Sequence, residues 1–144
     1  PGITQEALKE LRSMTASGMG LRAQSMSVAA HTGAQYLRLW TTLATMPKTY
    51  ETDGQGAEAV AQLHYFNGGS DWYIIEKDAG SPDDEEQGIQ AQAFGYACLN
   101  GDYENAELGY ISIQTLIENG VELDLYYKPE KIGTIKARFE KRAA

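Results

Sequence analysis

Asn67-Gly68-Gly69-Ser70 separates two runs of strand-forming side chains, Val60 to Phe66 and Trp72 to Lys77. Glycines at the tip accept the positive φ that a tight antiparallel connection demands, so Val60–Lys77 reads as a β-hairpin. The rest of the chain must build on that pair.

Further turn and strand signals follow on both sides. Ala91 to Leu99 is a strand, Asn100-Gly101-Asp102 a turn, and Leu108 to Ile111 a short strand. Ser112 caps a brief helix from Ile113 to Asn119, which Gly120 stops. Val121 to Tyr127 returns as a strand with Val121, Leu123, Leu125 and Tyr127 on one face and Glu122, Asp124 and Tyr126 on the other. Pro129 ends it, and Glu130 to Arg142 form a basic helix with Ile132, Ile135 and Phe139 inward. Upstream, Gln5 to Met14 is a short amphipathic helix preceded by Thr4, and Leu21 to Gly33 is a second helix or an irregular segment. Gln35 to Leu43 has strand composition and closes at Met46-Pro47. The expected architecture is α+β: a small, mostly antiparallel sheet of five or six strands with an N-terminal helix, a short inserted helix and a C-terminal helix. With 144 residues and no repeat, residues 1–144 form a single domain.

Charge is unevenly placed along the chain, whose formal net charge is −8. From Glu76 to Asp124 the only base is Lys77, against Glu76, Asp78, Asp83, Asp84, Glu85, Glu86, Asp102, Glu104, Glu107, Glu118, Glu122 and Asp124. From Lys128 onward the balance reverses, with Lys128, Lys131, Lys136, Arg138, Lys141 and Arg142 against Glu130 and Glu140. Such a negative surface repels phosphate backbones, which disfavours direct nucleic-acid binding. Residues 79–90 are too polar to pack and form an exposed acidic loop. No apolar run approaches a membrane span and no leader pattern is visible, so the expected setting is cytoplasmic. The single cysteine, Cys98, lies in an apolar strand and is expected as a buried hydrophobe.

Four motifs carry a family resemblance. Trp72-Tyr73 followed by Glu76-Lys77-Asp78, then Phe94-Gly95, then Glu107-Leu108-Gly109-Tyr110-Ile111-Ser112, then Glu122-Leu123-Asp124-Leu125-Tyr126 together resemble the bacterial domain of unknown function numbered 2958. The likeness spans about Gln62 to Pro129, within a family-like core of about residues 57–129. The insert around Asp83 to Glu86 is longer than the family's usual link, and the segment before Ala57 is more elaborate than the family's pattern. The resemblance implies a gene carried on plasmids, phages or conjugative elements, and no established catalytic activity.

Candidate sites lie among the carboxylates. Glu76 and Asp78 share one strand face about 7 Å apart, as do Glu122 and Asp124. On neighbouring strands the four would converge as a hard-cation site or an acid/base pair, and otherwise they form the wet side of a sheet. His64 would join such chemistry if it lay opposite Glu76, whereas His31 is expected to be structural. Asn67-Gly68-Gly69-Ser70 lacks the length and lysine of a phosphate loop. Trp72, Tyr73, Tyr96, Tyr110, Tyr126 and Tyr127 are expected as core and sheet packing, since a base-stacking platform needs a cationic groove.

The leading functional expectation is a non-enzymatic accessory protein of a mobile element, binding a basic protein partner through Glu76, Asp78, Asp83, Asp84, Glu85, Glu86, Glu122 and Asp124. No catalytic residue, metal or cofactor is assigned. The alternatives are a small metal-dependent or acid/base hydrolase using the clustered carboxylates, and a weak nucleic-acid binder using the C-terminal helix.

Overall fold

A computed structural model describes residues 38, 41, 42, 45–78, 92–124 and 126–143. The expected N-terminal helix, His31 and the loop carrying Asp83, Asp84, Glu85 and Glu86 lie outside the described residues.

The hairpin forms as read. Strands β2 (Leu63–Asn67) and β3 (Ser70–Glu76) pair antiparallel, closed by Asn67 opposite Ser70, with Gly68 at φ 56°. Strand β1 (Val60–Ala61) precedes them, and β4 (Ala93–Cys98), β5 (Glu107–Ile111) and β6 (Glu122–Leu123) complete the structure around the hairpin. The sheet is five-stranded in the order β5-β4-β3-β2-β6, with every pairing antiparallel. Helix α1 (Ile113–Glu118) lies between β5 and β6, with the Ser112 hydroxyl accepting the Thr115 N–H at its start. Strand β7 (Glu130–Lys131) pairs with β1 and leads directly into α2 (Ile132–Ala143).

Both faces of the sheet are covered, and the cores differ. On one face Leu63, Tyr65 and Ile74 pack with Ile113, Leu116, Val121 and Leu123, which brings in α1. On the other face Tyr73, Ile75, Tyr96 and Cys98 pack against Ile132, Ile135 and Phe139 of α2. Double coverage explains why Tyr73-Ile74-Ile75-Glu76 are buried in succession instead of alternating. Gly95 makes this packing possible at the centre, because a Cβ there would stand 2.0 Å from the Tyr73 carbonyl oxygen beside the β-bulge in β3.

Three local expectations are corrected. In the stretch expected as the Gln35–Leu43 strand, the described residues Arg38, Thr41 and Thr42 are helical, as is Thr45 beyond it, with the Met46 N–H on the Thr42 carbonyl and the Thr45 hydroxyl on the Thr41 carbonyl. Threonine's back-bond to the residue four positions earlier lets a β-branched segment join a helix. The last strand stops at Leu123 instead of Tyr127, because Asp124 turns the chain by accepting the Tyr126 N–H with its own side chain. Finally, Glu130 belongs to a strand before the helix, drawn into pairing with Ala61.

Candidate functional site

His64 is the polar centre of the α2 face. It stands opposite Tyr73 in the β2–β3 ladder, and Asp71 lies on the diagonal of the same face. His64 Nε2 is 2.7 Å from Asp71 Oδ1, and Nδ1 is 3.0 Å from Asp124 Oδ2. Asp124 reaches this position because its N–H donates to the His64 carbonyl at 2.8 Å, extending the β2–β6 register by one residue. Its second carboxylate oxygen accepts the Tyr126 N–H at 3.0 Å. The resulting turn brings the Tyr127 ring to 5.4 Å from the imidazole, and the Arg38 guanidinium donates to the Tyr127 carbonyl.

Charge state follows from this geometry. A neutral imidazole would present a lone pair to one of the two carboxylates, whereas an imidazolium donates to both. Burial by itself holds the His64 pKa down, but the hydrogen bonds to Asp124 and Asp71 and their charges outweigh it and raise it. Burial pushes Asp124 upward, yet the His64 and Tyr126 bonds and the His64 and Arg38 charges leave it below its ordinary value. With both ring nitrogens directed at carboxylates, the ring when protonated has no lone pair to accept a substrate proton or ligate a metal. Its chemistry is that of a cationic cross-link joining β2, β3 and the end of β6.

Glu76 is not opposite His64 and is not displayed. It is 3% exposed, and its carboxylate accepts the Tyr50 N–H at 2.9 Å, the Thr52 N–H at 2.9 Å and the Thr52 hydroxyl. It therefore anchors the loop at 48–54 and leaves the expected acidic surface. Asp78 is half-buried and accepts the Gln92 N–H at 3.0 Å, joining the two ends of the acidic segment. Glu122 is exposed on β6, while Asp124 is committed to His64. The two Glu-x-Asp pairs do not converge, because β2 lies between β3 and β6. Among the described residues no group of three His, Cys, Asp or Glu side chains is arranged to hold a metal ion.

Asp71 was not among the candidates, although its partner was. Counting outward from the Asn67–Ser70 closing pair places Tyr73 opposite His64 and Asp71 diagonal to it, so hairpin arithmetic alone identifies that contact. Asp124 was a candidate for the acidic surface and instead serves the clamp.

Four cations of the tail are also engaged within the fold. Lys131 pairs with Glu58 at 2.7 Å, and Arg138 grips Glu130 through both terminal nitrogens at 2.7 and 3.2 Å. Lys136 and Arg142 lie over the rings of Tyr96 and Tyr103 at 5.5 and 5.6 Å. Tyr73 and Tyr96 are buried as expected of packing residues, whereas Tyr110 and Tyr126 are exposed. Cys98 is fully buried and free, and burial, with the nearby Asp71 and Asp102 charges, raises its thiol pKa.

Compared with protein-family models, curated proteins and solved structures, the chain matches none. Among the described residues no helix is long and apolar enough to cross a membrane.

Proposed function

We propose that the protein is a non-enzymatic accessory module that binds a basic protein partner through surface carboxylates, occupying a cleft built for nucleic acid. One observation carries this reading. Glu104, Glu107, Glu118 and Glu122 are exposed and make no ion pair among the described residues, while Lys131, Lys136, Arg138 and Arg142 are engaged by Glu58, Glu130 and two aromatic rings. The anionic field of the molecule is thus left to face outward, where it speeds encounter with a cationic surface. Asp83, Asp84, Glu85 and Glu86 extend the same acidic sequence and belong to the proposed surface. The mobile-element setting implied by the family resemblance suits a protein that disarms a DNA-handling enzyme of the host.

Displacement of a labelled DNA duplex from a panel of purified restriction and CRISPR effector enzymes tests the proposal. The chain is expected to displace DNA from at least one of them, with potency falling steeply between about 50 and about 200 mM salt. Reversal of Glu104, Glu107 and Glu122 to lysine is expected to abolish it. Displacement that survives the reversal, or no displacement from any enzyme, overturns the proposal.

A further inference from the structure

Among the described residues the sheet has one long free edge. Strand β5 pairs only with β4, and no described residue bonds to its outer side, whereas β6 at the opposite edge is two residues long and ends in the Asp124 turn. An edge strand presents alternate N–H and C=O groups outward, and folded proteins normally blunt it with lysine, proline or a bulge. Glu107-Leu108-Gly109-Tyr110-Ile111 has neither residue, and its register with β4 runs unbroken from Ala97–Glu107 to Ala93–Ile111. At its centre, the Cβ position of Gly109 meets nothing within 4 Å, so the sheet face over the middle of the strand is open.

The side chains beside this edge form a shelf. Leu108 and Tyr110 project on one face, 37% and 59% exposed, while Ile111 turns into the core. Tyr50, itself 66% exposed, is near enough to Tyr110 to raise its phenol pKa. Tyr50 is held at φ 70° with its N–H on the buried Glu76 carboxylate. Glu76 thereby builds the shelf without being part of the surface.

We infer that the outer edge of β5 is a strand-addition site for an extended, basic peptide segment of a partner protein. The inference rests on the proposed binding of a basic partner and specifies where and how that partner docks. Main-chain hydrogen bonds to β5 supply affinity, and alternate apolar side chains of the incoming strand rest against Leu108, Tyr110 and Tyr50. Charge selects the occupant. Glu107 sits on the strand, Glu104 just before it, and Asp53 close enough to Tyr110 to raise its phenol pKa further. A second copy of this chain, with the same net charge of −8, would set Glu107 and Glu104 against like charges, whereas lysine and arginine on an incoming strand complement them.

Selection from a library of random peptides about eight residues long, somewhat more than a typical strand, displayed against the full chain, provides the test. Selected peptides are expected to alternate β-branched residues with lysine or arginine and to shift the amide resonances of residues 107–111. Backbone N-methylation along one edge of the tightest peptide, which leaves its charge intact, is expected to weaken it by about tenfold or more. No enriched peptide, shifts that miss β5, or binding indifferent to N-methylation overturns strand addition. Binding lost on Glu107→Lys yet indifferent to N-methylation sinks this inference and leaves the acidic-surface reading standing. Uncharged peptides that dock on β5 by the N-methylation criterion overturn the basic occupant and count against that reading. Concentration-dependent dimerisation of the free chain through β5, seen by sedimentation, assigns the edge to a second copy and overturns the proposed occupant.

Discussion

The ring of Tyr73 lies nearly parallel to that of His64, with centroids 4.6 Å apart and planes 14° from coplanar. A protonated imidazole gains from the negative π face of a phenol, so the stack and the two flanking carboxylates favour the same charge state. The Tyr73 ring in turn packs on Phe139 of α2, centroids 6.0 Å apart, which links the clamp to the helix.

The clamp gives stability a defined pH dependence. His64 has a raised folded pKa, so its contribution is fully present below about pH 6.5, its unfolded value, and is lost as pH rises through the folded value. Asp124 is depressed, so its contribution is present above about pH 3.9 and is lost as pH falls through its folded value. His64→Ala is expected to cost about 3 kcal/mol near pH 6, where it leaves two carboxylates facing each other, and less at pH 9. Urea midpoints across this range check it, and equal pH slopes in the native and variant chains would count against the clamp.

Glu76 is expected to behave as a structural residue. Glu76→Gln presents an amide N–H₂ where backbone and hydroxyl donors already point, and should cost about 2 kcal/mol. Limited proteolysis should then cut within residues 48–54. Unchanged stability together with weakened partner binding would instead return Glu76 to the recognition surface.

Gly95→Ala is expected to be among the most damaging small substitutions in the chain. The added methyl meets backbone, which cannot swing aside, so β3 and β4 must separate at the bulge. A loss of about 3 kcal/mol or more, or failure to accumulate folded protein, is the expected result. A stable variant with native amide shifts would show that the strands can separate there at little cost.

Much of the architecture is legible in short stretches of chain. The Gly68-Gly69 turn sets the central hairpin, Ser112 and Gly120 bracket α1, and the spacing of Ile132, Ile135 and Phe139 marks the buried side of α2. Each is a local effect: a backbone conformation, a cap or a helical period. Arg38, Thr41 and Thr42 mislead for the same reason, since the β propensity of their stretch is local while their helical state depends on surroundings.

The roles of the carboxylates are not legible in that way. Glu76, Asp78, Glu122 and Asp124 look alike as two repeats of one pattern, yet one anchors a loop, one joins the ends of a segment, one faces solvent and one grips a histidine. Composition and periodicity determined that this chain makes an acidic antiparallel sheet with a helix after its last strand. Strand order decided the rest, because placing β2 between β3 and β6 separates the acidic pairs and carries Asp124 to His64, and a carboxylate's energy depends on the donors and cations within a few ångströms of it, wherever in the chain they originate.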